Sequence, residues 1–250
     1  MFGRSHKQMH EIASFGKSDA GLKRTNNEDA FMIRPDLGVC LVADGMGGAA
    51  AGEVASRIFA ETTLEVFSQA RYQSEQETLE LVQMAFKWAN ERILDHVKEN
   101  PHHKGMGCTA ELVGFFNKGF VLGHMGDSRT YRFRNGQLTQ LTQDHSLVQD
   151  QIDQGLITPA EARNHPLRNV ILRAVGVKKI AALDLIRGKA FPGDLFLLCS
   201  DGLTDMVDDT LIRETLSSSI ALPEKVENLV ELAKSAGGYD NITVVLSEVV

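Results

Sequence analysis

A chain of 250 residues with 43% hydrophobic and 24% charged side chains has the composition of an ordinary globular protein, and it can bury a core without disulfide bonds. The net charge of −7 argues against a protein that binds the phosphate backbone of nucleic acids. The sequence has neither an apolar run long enough for a membrane helix nor an N-terminal secretory signal, so we expect a cytoplasmic protein without a membrane partner.

Short apolar runs bounded by turn signals dominate the sequence and predict β-strands. The runs cover residues 38–43, 110–116, 120–125, 129–134, 194–199 and 242–249. Asn117-Lys118-Gly119 lies between two of them, and Asn135-Gly136 is a dipeptide that favours a tight hairpin turn. Adjacent hairpins indicate antiparallel sheet.

Three segments carry apolar residues at helical spacing. The first, 75–98, has its stripe at Leu79, Val82, Phe86, Ala89, Ile93 and Val97. A second begins after Gly52, and a third covers 223–235. Each predicted helix has one apolar face and should lie against a sheet, which favours an α+β sandwich. The sequence contains no repeat or linker-like tract, so we predict one domain over 1–250.

The segment from about residue 144 to 170 differs from the rest, because it is polar and contains Thr158-Pro159 and His165-Pro166. We expect a surface excursion with one short helix, a kind of segment that often carries function. The three cysteines, Cys40, Cys108 and Cys199, lie in apolar surroundings and are expected to be buried, reduced packing residues.

Acidic residues recur at the ends of the strand-like runs or beside glycine: Glu28, Asp29, Asp44, Asp127, Asp201 and Asp240. A strand delivers its last side chain to the rim of a sheet with little positional freedom, and an adjacent glycine allows close approach. Hard cations such as Mg²⁺ and Mn²⁺ prefer oxygen ligands of this kind. Any one Asp-Gly pair alone is more often a turn, but the ordered set indicates a cation site.

Seven short motifs occur in an order that closely resembles the bacterial form of the type 2C metal-dependent serine/threonine protein phosphatases. They begin at Arg24, Asp44, Gly107, Gly126, Leu141, Ser200 and Gly238 and read RTNNED, DGMGG, GCTA, GDSR, LTQDHS, SDG and GYDNIT. The resemblance extends from about Gly16 to the C-terminus, and the probability that seven motifs would agree in this order by chance is very small.

The resemblance implies a four-layer αββα sandwich of two antiparallel sheets flanked by helices, with two or three Mn²⁺ or Mg²⁺ ions at one end. By motif position the ions are held by Asp44, the carbonyl of Gly45, Asp201 and Asp240, and are contacted directly or through water by Glu28 and Asp29. Asp127 matches the residue of a third, weaker ion, which Asp205 could assist. Arg24 matches the phosphate-binding arginine.

The implied reaction is hydrolysis of phosphoserine or phosphothreonine by direct attack of a metal-activated water, which needs no nucleophilic side chain. One departure concerns Met46, which stands where many eukaryotic relatives carry a histidine that could protonate the leaving group. His145 in the polar excursion is a candidate for that role, although a turn or surface histidine is the favoured interpretation. The excursion matches the family's flap, which could influence substrate choice.

Two alternatives remain open at the level of sequence. A catalytically silent relative would act as a binding module, although the intact acids argue against it. A phosphoesterase that acts on small molecules would have the same metal site. The expected partners are phosphorylated proteins, including a serine/threonine kinase and its targets, and the chain is expected to act as a monomer without nucleic acid.

Overall fold

A computed structural model of the chain describes residues 11–47, 51–69, 74–180 and 182–250. Gly48 of the second motif and residues 1–10 lie outside the described residues. The strands are β1 (Ile12–Asp19), β2 (Asp29–Arg34), β3 (Val39–Met46), β4 (Gly107–Cys108), β5 (Ala110–Phe116), β6 (Gly119–Met125), β7 (Arg129–Arg134), β8 (Gln137–Gln140), β9 (Asp184–Lys189), β10 (Leu195–Cys199) and β11 (Ile242–Val249). The helices are α1 (Ala51–Ser68), α2 (Glu75–Glu99), α3 (Leu147–Asp153), α4 (Pro159–Arg163), α5 (Asp201–Thr204), α6 (Asp209–Ser217) and α7 (Leu222–Ser235).

The strands form two sheets. One has the order β1-β11-β10-β7-β8, and the other has the order β2-β3-β5-β6-β9 with the short β4 paired to the end of β3. The paired strands run antiparallel. The Asn117 hairpin joins β5 to β6, and the Asn135-Gly136 turn joins β7 to β8, with positive φ at both residues of the turn. Both hairpin predictions are therefore confirmed.

The two sheets pack face to face around a core to which alternate residues contribute. Cys40 and Val42 of β3 point into this core, whereas Leu41 and Ala43 point to the opposite face. Phe196 of β10 lies at its centre and meets the rings of Phe115 and Phe120 edge-on, with ring centroids 5.3 and 4.8 Å away. Strands buried on both faces explain the continuous apolar runs in the sequence.

Helices cover the outer faces of both sheets. α1 and α2 pack on the sheet that contains β3, and their rings Phe59 and Phe86 lie in its outer core. α5, α6 and α7 cover the other sheet, where Leu229 and Val230 of α7 are fully buried. The predicted α+β, four-layer αββα sandwich is confirmed.

Two local predictions were wrong. The strand predicted over 38–43 continues to Met46 because Gly45 and Met46 pair with β4, so Asp44 lies inside β3 and not after it. The 144–170 excursion contains two short helices instead of one, since Ser146 and Thr158 each cap a helix with the side chain. Neither helix is long enough to show an apolar period.

The cysteine prediction is confirmed, since Cys40, Cys108 and Cys199 are free thiols and each is at most 1% exposed. Burial raises the pKa of Cys40 to about 12, and it raises the pKa values of the other two thiols as well. These thiols therefore stay protonated and unreactive at neutral pH. Among the helices that the structure describes, none combines the length and apolarity needed to cross a bilayer.

Candidate metal centre

The pairing of β2 with β3 brings the first two acids together. Asp29 is the first residue of β2 and lies directly opposite Asp44 in the register. The ends of these strands are fixed from both sides, because Gly45 N donates to the carbonyl of Glu28 at 3.1 Å and Thr109 N donates to the carbonyl of Asp44 at 2.9 Å. The backbone therefore sets the position of both carboxylates.

The other sheet contributes the hydroxyl groups that hold Asp29. Its Oδ2 accepts hydrogen bonds from Ser200 Oγ at 2.8 Å and from Thr243 Oγ1 at 2.6 Å. Ser200 follows β10 and Thr243 lies in β11, so these two bonds connect the rims of the two sheets. Asp201, the next residue after Ser200, begins α5 at the same place.

The acidic side chains at this rim repel one another strongly. Burial and the neighbouring charges raise the pKa values of Asp44 and Asp201 well above the usual range. Burial raises the pKa of Asp29 to about 6 even though Thr243 and Ser200 donate to it. Asp44 interacts electrostatically with Asp29, Asp127, Asp201 and Asp240. The predicted acids thus converge on one site at the end of the sandwich.

Three buried carboxylate oxygens at this site have no hydrogen-bond partner among the described residues: Asp29 Oδ1, Asp127 Oδ1 and Asp201 Oδ1. An unsatisfied buried oxygen costs about 1–3 kcal/mol, and more when it is charged. A divalent cation would satisfy these oxygens and neutralise the repulsion at once. The donor set consists of carboxylate oxygens and therefore fits hard cations such as Mn²⁺ or Mg²⁺.

The carboxylates are neighbours and do not form a closed ligand shell. Within the described ranges, no group of three or more His, Cys, Asp or Glu side chains has a geometry that would hold a cation unaided. This agrees with the chemistry of Mg²⁺, which keeps several waters and takes only one or two carboxylates from the protein. The unpartnered carboxylate oxygens therefore indicate the cation site better than a complete set of protein ligands would, because water is expected to complete the coordination shell of the cation.

Glycine allows the backbone to come close at two points of the site. A Cβ on Gly45 would lie 2.2 Å from the carbonyl oxygen of Gly52, and a Cβ on Gly52 would lie 2.4 Å from Glu28 Oε2. A Cβ on Gly202 would lie 1.9 Å from the carbonyl oxygen of Asn241. The start of α1 therefore lies directly against β3 and Glu28, and the start of α5 lies against the loop that carries Asp240.

Arg24 lies at the open side of the site. Its Nη2 donates to Asp240 Oδ2 at 2.8 Å, while its side chain remains 53% exposed. Partial burial opposes the charged form, but Asp240 raises the pKa of Arg24 above its usual value. The guanidinium stays charged and has donors left for an anion that arrives from solvent.

Asp127 and Asp205 lie on the side of the site that faces the 144–170 segment. Burial, followed by the charge of Asp144, raises the pKa of Asp127 to about 7. Asp205 is exposed, and its Oδ2 lies 3.7 Å from Nε of Arg168 in that segment. Between the segment and α5–α6 is a cavity of about 610 Å³, which Asp127, Asp201 and Asp205 help to line.

His145 lies beneath the loop that carries Asp127 and is 8% exposed. Its Nδ1 accepts from Gly126 N at 3.1 Å, and its Nε2 contacts Asp184 Oδ2 at 3.0 Å. Its ring packs on His124, with centroids 4.4 Å apart. Burial and His124 lower the pKa of His145, so the ring is neutral at pH 7. Both ring nitrogens are occupied, which favours a supporting role over proton donation.

Comparison with known proteins identifies the family. The protein phosphatase 2C family matches residues 22–236. The serine/threonine protein phosphatase PstP of Mycobacterium tuberculosis is 40% identical over 240 residues, which are 94% of this chain and 44% of that protein. The protein phosphatase PhpP of Streptococcus pneumoniae is 36% identical over 232 residues, 92% of this chain and 94% of that protein. The chain belongs to the protein phosphatase 2C family.

A solved structure in this family agrees with the fold. It is the catalytic domain of the serine/threonine protein phosphatase PstP in complex with two manganese ions, and it is 38% identical with a TM-score of 0.88 over 96% of this chain and 98% of that one. The chain spans 44% of the length of its M. tuberculosis relative. Asp240 lies beyond the part that matches the family, so its place at the site depends on the contacts described above.

For several residues that support this protein phosphatase 2C site, the sequence alone predicted no role. Asn241 Oδ1 accepts from Glu28 N at 2.8 Å, and its Nδ2 donates to the carbonyls of Asn26 and Ala20 at 2.9 and 3.2 Å. Ser200 and Thr243 hold Asp29 as described. All three are immediate or near neighbours of a predicted acid in a motif, and that adjacency was the only available signal.

Proposed function

We propose that this chain is a metal-dependent protein serine/threonine phosphatase that hydrolyses phosphoserine and phosphothreonine. The observation that carries the proposal is the set of three buried, unpartnered carboxylate oxygens on Asp29, Asp127 and Asp201, next to an exposed arginine. This arrangement combines a place for hard cations with a place for an anion. Family membership and the manganese-containing relative support the same reaction.

The roles of the metal-site residues follow from their positions. Asp44, the carbonyl of Gly45, Asp201 and Asp240 would hold two Mn²⁺ or Mg²⁺ ions, and Glu28 and Asp29 would contact them directly or through water. Asp127 would hold a third ion with help from Asp205. When bound, such ions lower the pKa of water into a useful range and neutralise phosphoryl oxygens.

Arg24 would bind the phosphoryl group, because its forked guanidinium can donate two parallel hydrogen bonds to phosphate oxygens. It is anchored on Asp240, which fixes the direction of the fork. Met46 carries no transferable proton, so the leaving oxygen would take its proton from water. His145 would act as a positioning residue through its hydrogen bond with Gly126. It would not donate the proton that the leaving oxygen of the phosphorylated side chain takes up.

The wider setting belongs to the same proposal. Residues 1–250 would form one catalytic domain, with the 144–170 segment as a flap beside the site. The substrates would be phosphorylated proteins, including a serine/threonine kinase and its targets, and the chain would act as a cytoplasmic monomer. The names of the relatives as protein phosphatases support protein substrates.

The decisive experiment measures phosphate release from a phosphothreonine peptide after metal has been stripped, with and without added Mn²⁺. We expect turnover only with Mn²⁺, and a kcat/KM for the peptide above that for p-nitrophenyl phosphate. Asp44→Asn should abolish turnover, while Asp36→Asn, a control at an exposed carboxylate paired with Arg34, should retain it.

Other outcomes identify the alternatives. A folded protein without turnover in any divalent metal would indicate the silent binding module. Faster turnover of small phosphomonoesters than of every peptide would indicate a small-molecule phosphoesterase. Near-normal activity of the Asp44→Asn variant would overturn the metal-site assignment while leaving the reaction class intact.

A further inference from the structure

Two large side chains beside Arg24 are exposed to solvent. Leu22 is 59% exposed and Tyr239 is 61% exposed. Leu22 precedes Arg24 by two positions, and Tyr239 immediately precedes Asp240, the carboxylate to which Arg24 is bonded. Tyr239 belongs to the GYDNIT motif, but the metal centre gives this ring no role.

Hydrogen bonds and close packing join the two backbone segments beneath these side chains. Leu22 N donates to the carbonyl of Gly238 at 2.7 Å. Gly21 has φ +73°, and a Cβ there would lie 2.2 Å from the carbonyl oxygen of Asp240. The loop between β1 and β2 therefore lies directly on the loop before β11, and the side chain of Asn241 bridges the two loops through Ala20 and Asn26.

Both side chains rest on glycine. Gly237 has φ +139°, and a Cβ on it would lie 2.5 Å from Cε2 of Tyr239, so the ring is folded back over its own loop. A Cβ on Gly238 would lie 3.0 Å from Cγ of Leu22. Lys23 Nζ lies 6.0 Å from the centroid of the Tyr239 ring. Two apolar surfaces are thus held in place by the backbone while they remain open to water.

We propose that Leu22 and Tyr239 form an apolar platform, on which a substrate residue within two positions of the phosphorylated serine or threonine packs. The inference rests on the proposed phosphatase function and names a substrate class: phosphoprotein segments with a bulky apolar or aromatic residue within two positions of the phosphoresidue. A phosphate held by Arg24 brings that residue within reach, because an extended chain advances about 3.3–3.6 Å per residue. Because Gly237 and Gly238 have no Cβ, both side chains can lie close against the backbone and leave their other faces open to a substrate.

The test compares phosphothreonine peptides that carry Ala, Leu or Phe at each of the two positions on either side of phosphothreonine. For the native chain with Mn²⁺, we expect kcat/KM to be about fivefold higher with Leu or Phe than with Ala at one of these positions, since partial burial of one apolar side chain contributes about that factor. Tyr239→Ala and Leu22→Ala should reduce the ratio toward one. Tyr239→Phe, which keeps the ring, should preserve it.

A matched control is Phe191→Ala. This aromatic side chain is 49% exposed and precedes β10, at the opposite end of that strand from Asp201. The variant should keep the native preference. Hydrolysis of p-nitrophenyl phosphate, which has no flanking residue, reports on the metal centre of every variant. If Tyr239→Ala disturbs Asp240 and lowers the hydrolysis of p-nitrophenyl phosphate, the peptide preference of Leu22→Ala decides whether the platform exists.

Several outcomes would overturn the platform. They are an equal rate for all peptides with the native chain, an unchanged preference in both alanine variants, or an equal loss of preference in Phe191→Ala. Self-association that Tyr239→Ala abolishes, with peptide preference unchanged, would assign the surface to a second copy of the chain. Failure to hydrolyse any peptide or p-nitrophenyl phosphate would instead contradict the phosphatase function itself.

Discussion

Glu111 and His124 form an ion pair whose side chains are both fully shielded from solvent. They face each other across β5 and β6, and Thr130 Oγ1 donates to the second carboxylate oxygen of Glu111 at 2.5 Å. His124 Nε2 donates to the carbonyl of Gln143 at 2.8 Å. Burial opposes the charged imidazole, but Glu111 outweighs it and raises the pKa of His124 to about 9. The pair supports His145 and, through it, the Gly126–Asp127 turn.

The raised pKa predicts how stability depends on pH. The imidazole of His124 binds its proton more tightly in the folded state than in the unfolded state. Its contribution to the free energy of unfolding is therefore complete below the usual pKa of about 6.5, and this contribution is lost as pH rises through 9. We expect the free energy of unfolding of metal-free protein to fall by about 2–3 kcal/mol between pH 6.5 and 10 from this pair. Urea unfolding at several pH values measures it.

The control for this experiment is Glu111→Gln, which removes the charge that holds the proton on His124. The variant will be less stable at every pH, so the comparison concerns the slope of stability against pH and not its absolute value. We expect the slope above pH 6.5 to be clearly smaller in the variant. Equal slopes would mean that His124 is not charged in the folded protein.

At the scale of secondary structure, the sequence predicted the strands that are buried on both faces and the long helices. The run 242–249 coincides with β11, and the helix expected over 75–98 is α2, because their apolar patterns are uninterrupted. β1, β2, β8 and β9 were not predicted, and neither was the two-residue β4. The first four lie at sheet edges and mix apolar with charged or polar residues, so neither a regular apolar period nor a strand-like composition marks them in the sequence.

The acidic residues of the candidate site could be predicted from the sequence, but the residues that hold them in place could not. Asp29, Asp44 and Asp201 appear in the sequence as strand-end acids next to recognisable motifs. The hydroxyl groups of Ser200 and Thr243, which hold Asp29, come from the other sheet. The ion pair of Arg24 with Asp240 joins residues 216 positions apart. Such contacts depend on how two sheets meet, which short-range patterns do not encode.

The start of α1 gives a prediction about the site at this scale. Alanine for glycine inside a helix usually stabilises it by about 1 kcal/mol. At Gly52 the added Cβ would lie 2.4 Å from Glu28 Oε2 and 2.7 Å from the carbonyl oxygen of Gly45. We expect Gly52→Ala to lower the free energy of unfolding by about 1 kcal/mol or more, and kcat/KM by about tenfold or more because Gly45 is displaced.

Chemical unfolding and Mn²⁺-dependent peptide hydrolysis measure both effects. Glu61→Ala, at an exposed position in the same helix, is the control and should change stability by no more than about 0.5 kcal/mol. A Gly52→Ala variant that gains stability and keeps its activity would show that α1 does not restrain Glu28 and Gly45.

For the whole molecule, the acidic centre is the place where the two sheets are joined at one end. Asp29 and Asp44 belong to one sheet, whereas Asp201 and Asp240 border β10 and β11 of the other. Without a cation, the like charges of these neighbouring acids weaken the contact between the sheets. A bound cation turns the repulsion into a shared attraction, so metal binding and folding should be coupled.

Thermal unfolding tests this coupling. We expect Mn²⁺ to raise the midpoint of the native chain, since binding at about a hundred times Kd contributes about 2.7 kcal/mol. Asp201→Asn should unfold at a higher temperature than the native chain in chelator, because one buried charge is gone, and it should respond much less to Mn²⁺. A native midpoint unaffected by Mn²⁺, or a full response in the variant, would contradict the coupling.

The position of β11 has a consequence for the time at which the acidic centre can form during synthesis. This strand lies between β1 and β10, so residues 12–19 acquire their neighbour only after residues 242–249 have been synthesised. Asp240 and Thr243 arrive with it. A ribosome-bound chain that lacks this strand therefore has neither a complete five-stranded sheet nor a complete acidic centre, and the centre cannot assemble before β11 has been translated.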